Sequence, residues 1–244
     1  MTPLGWKLAR LSAMSPAEVA HRARIVLRDR FAPPAYASWS PAQAGARLYD
    51  GGAARALASS LLPRWPRALE PAEDFAPAVA AGRGLLDGRW SLFGCQVRLD
   101  DPPVWNRNPV SGAAWPEAAS GALDYRRSDI AGGAKPVWEL GRLTLLPTLA
   151  LAARLTGEGA FAERAIAWLE DFTGRNPLGR GIHHTSGIEM ALRVLTTSWT
   201  LALLGERADP ARVAPALGLV AQQALYCRDH LSLGSSANNH LIAE

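Results

Sequence analysis

Lysine is almost missing from this chain. Only Lys7 and Lys135 stand among 26 basic residues, so the net charge of +4 and the isoelectric point near 9.5 are carried by arginine. The planar guanidinium fork pairs bidentately with carboxylate, sulfate or phosphate, which makes an acidic polymer a reasonable partner; a dispersed basic surface accounts for the same charge. Cysteine is just as scarce. Cys95 and Cys227 lie far apart and form no C-x-x-C pair, which excludes a cysteine-based metal knuckle and leaves the redox compartment open. Long apolar runs are lacking too. The longest, Leu143 to Leu155, is interrupted by Pro147 and contains Arg154. It falls short of the roughly 20 residues a membrane span requires and reads as a buried core helix. No apolar stretch of signal-peptide length precedes the charged run His21 to Arg30. What remains is globular: 48% hydrophobic and 20% charged residues over 244 positions suffice for a sizeable core in one domain or two small ones.

Helix signals dominate. Ser15-Pro16-Ala17-Glu18 is a capping box with proline at the first helical position, followed by an apolar stripe of Val19, Ala23, Val26 and Leu27. Arg22, Arg24, Arg28 and Asp29 then form the outer, solvated face. Short helices are suggested at 41–49 and 53–62. The exception is 89–99, where Trp90, Leu92 and Val97 lie among Gly88, Gly94 and the Asp100-Asp101-Pro102-Pro103 turn and predict a small hairpin. From Asp101 to Gly133 the chain has no helical period and reads as a long ordered loop containing Trp105 and Trp115.

After Pro136 successive amphipathic helices follow. The first carries Trp138, Leu145, Leu149 and Ala152, with a kink expected at Pro147 and a stop at Thr156-Gly157. The second carries Phe161, Ala165, Trp168, Leu169 and Phe172 and stops at Gly174 and Asn176-Pro177. The third has an apolar face of Ile188, Ala191, Leu192, Leu195, Trp199 and Leu203, and a fourth starts at Asp209-Pro210. Trp138, Trp168 and Trp199 recur at near-equal spacing, a hint of repeated helix-turn units. Helices of this kind pack as hairpins in a bundle, a solenoid or an α/α toroid, and periodicity does not choose among these.

The residues richest in chemistry come last, in Gly234 to Glu244. Ser235 or Ser236 can cap a helix whose first turn holds Asn238, Asn239 and His240, where free amides and the positive helix end favour an anion. Glu244 lies one turn beyond His240 and can orient or charge its imidazole. A polar cap that merely satisfies its neighbours is the plainer alternative. Glu139 with Arg142, and Glu189 with Arg193, have the spacing of intrahelical ion pairs. His183-His184 followed by Glu189 does not have zinc-motif spacing and has no evident third ligand.

These residues resemble the heparinase II/III-like polysaccharide lyases, whose helical domain bears N-N-H-x-x-x-E, matched here by Asn238, Asn239, His240 and Glu244. Lys135-Pro136-Val137-Trp138-Glu139-Leu140-Gly141-Arg142, Asn176-Pro177 and Gly187-Ile188-Glu189-Met190-Ala191-Leu192-Arg193 precede them in the family's order, and 90–99 is similar to its early hairpin. His184 departs from the pattern, standing where these proteins commonly carry tryptophan.

The resemblance implies an all-α fold of helix hairpins forming part of an incomplete (α/α) toroid. It divides the chain into a helical and irregular segment, 1–88, and a lyase domain, 89–244, with a β-rich C-terminal domain outside it. It implies β-elimination on uronic-acid polysaccharides, with Asn239 and His240 catalytic and Asn238, Glu244, Glu189, Arg193, His184 and Tyr125 contacting substrate. No cofactor is required for that chemistry. The family's catalytic tyrosine has no counterpart in Tyr36, Tyr49, Tyr125 or Tyr226, so a truncated chain without turnover is expected. The partner is an acidic polysaccharide rather than nucleic acid. The implied compartment is the periplasm, and with no export signal visible the cytoplasm is the alternative. Two other classes fit the same residues: a non-catalytic module that grips acidic glycans, and a helical scaffold for protein partners.

Overall fold

A computed structural model describes residues 11–48 and 75–233. Among them the architecture is all-α with one small antiparallel hairpin. The helices are α1 (Pro16–Phe31), α2 (Pro41–Leu48), α3 (Ala76–Leu86), α4 (Lys135–Gly141), α5 (Leu145–Thr156), α6 (Gly159–Arg175), α7 (Gly187–Leu204) and α8 (Pro210–Asp229). The strands are β1 (Arg89–Leu92) and β2 (Cys95–Arg98), paired Trp90 to Val97 and Leu92 to Cys95 across a Phe93-Gly94 turn. Both turn residues have positive φ, 51° and 79°, the geometry that matches the twist of a tight hairpin. The suggested helix at 53–62 lies outside the described residues.

The core is built around α5. It packs against α3, α6 and α7, while α8 packs against α2, α6 and α7. Leu146, Leu149, Phe161, Trp168 and Phe172 are sealed from water, each burial contributing about 1.5–3 kcal/mol. The 101–133 loop is riveted to this core by indoles. Trp168 donates to Asp101 at 2.8 Å, Trp105 donates to Asp171 at 2.8 Å, and the Trp105 ring meets Phe172 edge-on at 5.2 Å. The described parts of 1–88 belong to the same packing, since α2 lies on α8 and α3 on α5.

The helix ends follow their caps. Ser15 accepts from Glu18 N at 3.2 Å and Asp209 accepts from Ala211 N at 2.9 Å, as expected for α1 and α8. Other expectations need correction. The first long helix breaks at 142–144, where Leu143 has φ 59°, and not at Pro147. Pro147 falls in the first turn of α5, where a missing N–H costs no helical hydrogen bond. The apolar stripe of α1 faces outward, with Val26 65% and Leu27 56% exposed. Of the face expected to be solvated, Arg22 and Arg28 are half-buried while Arg24 and Asp29 are exposed, and His230 stands between Arg28 at 3.0 Å and Asp29 at 2.8 Å. Burial opposes ionisation of Asp29, but hydrogen bonds from His230 and Arg28 outweigh it and hold the carboxyl below its usual range. The tryptophan repeat dissolves as well: Trp168 is buried, Trp138 half-buried and Trp199 54% exposed.

Helices α2 and α8 approach each other through glycine. A Cβ on Gly218 would stand 2.0 Å from Pro41 O and 2.4 Å from Gly45 N, both backbone atoms that cannot swing aside. Gly218→Ala is therefore expected to push α2 off α8 and cost about 1–3 kcal/mol or more. The urea midpoint measures the loss, and an unchanged midpoint would mean the two helices separate without penalty.

Candidate functional site

Blocks far apart in sequence meet where α4 ends. Trp138 Nε1 donates to Ile182 O at 3.0 Å and so ties α4 to the 182–184 turn. Arg142 reaches across to α7, its Nε and Nη2 donating to the Glu189 carboxylate at 2.7 and 2.9 Å, while its Nη1 pairs with Glu139. One guanidinium thus bridges two carboxylates. Its hydrogen bonding to the Glu189 carboxylate is the main reason the Arg142 pKa is raised above its ordinary value. Thr196 closes the seam by donating to Arg142 O at 2.5 Å.

Arg193 lies beneath this bridge, with Nε donating to Gly141 O at 2.5 Å, Nη2 to His183 O at 3.0 Å, and the guanidinium over the Phe172 ring at 4.9 Å. Burial lowers its pKa to about 10, so it is still charged at neutral pH, with Glu189 acting in the opposite direction. The expected Glu139–Arg142 intrahelical pair is present; the expected Glu189–Arg193 pair is replaced by Glu189–Arg142 and by carbonyl acceptors for Arg193. Gly141 is what lets the parts close. A Cβ there would sit 2.0 Å from His183 Nδ1.

The paired histidines are internal groups. A carbonyl only accepts, so His184 carries its proton on Nδ1, donating to Arg180 O at 3.0 Å, and Nε2 accepts from Gln223 at 3.2 Å. His183 donates from Nε2 to Trp105 O at 2.9 Å, and its buried Nδ1 has no hydrogen-bond partner among the described residues. With both nitrogens committed and 4% exposure, His184 is a packing residue and not the sugar contact expected of it. Arg193, at 1% exposure, likewise holds backbone and not substrate. Among the described residues no cluster of His, Cys, Asp and Glu is arranged to hold a metal.

Burial first, then the charge of Arg193, pushes His184 down to about 3, and His183 is driven well below its ordinary value by the same causes. The unfolded chain takes these protons near pH 6.5. A histidine with a depressed folded pKa contributes fully above about pH 6.5 and loses its contribution as pH falls towards the folded value. At pH 4, His184 alone is expected to cost the fold roughly 3 kcal/mol. Urea midpoints at pH 7 and pH 4 should differ clearly less in His184→Asn than in the unmodified chain. Equal differences would show that the ring takes up no protons on unfolding.

Glu189, 1% exposed, anchors Arg142, and the groups that reach solvent are Arg142, Glu139, Trp138 and Tyr125. Tyr125 lies against Trp138 with ring centroids 5.2 Å apart and carries the Arg126 guanidinium over its face at 4.6 Å. Arg142 as a bridge between helices was missed in the sequence reading, although it closes the Lys135 to Arg142 block. Asn238, Asn239, His240 and Glu244 lie outside the described residues. Comparison with family models, curated proteins and solved structures returned no match. No helix among the described residues is long and apolar enough to cross a membrane.

Proposed function

We propose that this protein is a heparinase II/III-like lyase that cleaves uronic-acid polysaccharides by β-elimination. One observation carries the reading: the Lys135 to Arg142 and Gly187 to Arg193 blocks, joined in sequence only by the resemblance, share one ion network through Arg142, Glu139 and Glu189. Helical hairpins around such a seam suit an α/α toroid, and a surface rich in arginine suits a polyanion.

In this chemistry a base removes the C5 proton beside the uronate carboxylate and the sugar linked at C4 leaves. Charge accumulates on the carboxylate, and fixed donors in a water-poor site stabilise it best. Asn239 and His240 take that role, with Glu244 supporting His240. The resemblance gives the base or acid role to a tyrosine beyond the Asn-His motif, often with a further histidine. Arg142 and Glu189 join α4 to α7. The periplasm is the compartment the resemblance implies, with the cytoplasm as the alternative.

The test is ultraviolet absorbance of unsaturated ends, with the protein assayed on several uronate polymers, and product from at least one of them is the expected result. A protein inert on every uronate polymer that still binds them would transfer the assignment to a glycan-binding module.

A further inference from the structure

A cleft of about 190 Å³ opens on the other side of the 180–182 turn, walled by loop residues 102–106, by Pro116 and Glu117, and by Arg175, Asn176 and Arg180 to Ile182. We propose that this cleft is a binding subsite for a single carboxylate-bearing sugar unit, with Arg180 holding the acid group. The choice of a uronate rests on the lyase reading and deepens it; the cleft itself stands on its own geometry.

Its walls are set before any ligand arrives. Gly181 N donates to Ala118 O at 2.8 Å, Ser120 N to Gly179 O at 2.9 Å, and Ser120 Oγ to Gly181 O at 2.8 Å, so the segment bearing Arg180 is laced to 118–120. On the other wall, Trp105 is fixed by Asp171 and Asn106 by Trp115 O at 3.0 Å. Such a site binds without first ordering its own loops.

The polar groups that remain are complementary to a hexuronate. Arg180 is exposed and makes no ion pair among the described residues, whereas neighbouring Arg175 is already held by Asp171 at 2.8 Å. Asn106 and Asn176 each spend one of their two N–H donors on a backbone carbonyl, Trp115 O and Phe172 O, and their side-chain oxygens carry no hydrogen bond among the described residues. Those oxygens and the Glu117 carboxylate only accept. A ligand that fits must therefore offer one anionic group to Arg180 and several O–H donors to the acceptors, which a uronate does. Sulfate offers only acceptors, and inorganic phosphate has at most one or two O–H groups, fewer than the several hydroxyls of a hexuronate. The proline rings at 102, 103 and 116 supply an apolar wall for the C–H face of a pyranose. The volume lies below the roughly 300–1,000 Å³ of sites for drug-sized ligands, which limits the occupant to one ring.

The experiment is calorimetric titration of the full chain with sodium glucuronate, glucose and inorganic phosphate, repeated on Arg180→Met and Arg180→Lys, with thermal melting to confirm that both variants fold. Glucuronate should bind about tenfold or more tightly than glucose or phosphate, Arg180→Met should lose that preference, and Arg180→Lys should keep part of it. Equal binding of glucuronate and glucose, phosphate binding as tightly as glucuronate, or a preference untouched in Arg180→Met would each overturn the subsite. A uronate hexamer binding with the same Arg180 dependence assigns the cleft to a polymer unit; loss of that dependence in the hexamer restricts it to the free sugar. The two readings fail separately. Glucuronate binding through Arg180 without product from any polymer removes the lyase and keeps the cleft. Polymer cleavage with no glucuronate bound removes the cleft and keeps the lyase.

Discussion

Glu189→Ala is expected to destabilise the fold by about 1.5–3 kcal/mol, the loss of charge-assisted hydrogen bonds from a half-buried guanidinium. The Glu189 side chain is 2% exposed, and both of its oxygens are taken by Arg142. Removal leaves Arg142 with Glu139 alone, at the solvent edge, where a pair contributes little. It also strips Arg193, buried one turn further along α7, of the carboxylate that helps keep it charged. Glu189→Gln keeps the shape but sets an amide N–H₂ against a guanidinium that only donates, so it should recover only part of the loss. The measurement is urea denaturation of Glu189→Ala, Arg142→Met and the double variant. A coupling of about 0.5–3 kcal/mol is expected for residues in one network. Additive effects, or a loss below about 1 kcal/mol for Glu189→Ala, would mean that the bridge does not hold α4 to α7.

The same network shows where reading from sequence stops. Caps and stops were legible because their physics is local: Ser15, Asp209, Gly157 and the Phe93-Gly94 turn act within a few residues of themselves. Helix faces were legible where the buried side is apolar, as in α6. Helix α7 defeats that rule. Its buried face carries Glu189, Arg193, Thr197 and Thr200, while Leu195 and Trp199 are more than half exposed. Hydrophobic periodicity picks out the exposed pair because it has no means of crediting a buried charge with a distant partner. Arg142 stands 47 residues from Glu189, and the carbonyl of Gly141 stands 52 from Arg193. His184 was misread for a related reason. Its exposure and tautomer are set by Gln223 and by a turn carbonyl, and neither is visible in the local pattern. Of the candidate site, the sequence motifs named Glu139, Arg142, Glu189 and Arg193, but the Arg142–Glu189 bridge and the buried positions of His184 and Arg193 required the packing.

Under the lyase function proposed above, Asn239→Ala and His240→Ala are each expected to lower kcat on a uronate polymer by about 10²–10³-fold while leaving KM nearly unchanged. A donor aimed at the carboxylate meets little extra charge in the bound substrate and far more once the C5 proton is leaving, so its loss falls on the transition state. Asn239→Asp should be as damaging as alanine despite its similar size, because it sets a negative charge against the one that accumulates. Glu244→Gln should do less, since it removes a partner of His240 and not a donor to the substrate. Initial rates of ultraviolet absorbance over a range of polymer concentrations separate kcat from KM. A raised KM with kcat preserved would make Asn239 and His240 binding residues only. Full turnover in both variants would remove the Asn-His motif from the chemistry, and with it the strongest sequence argument for a lyase.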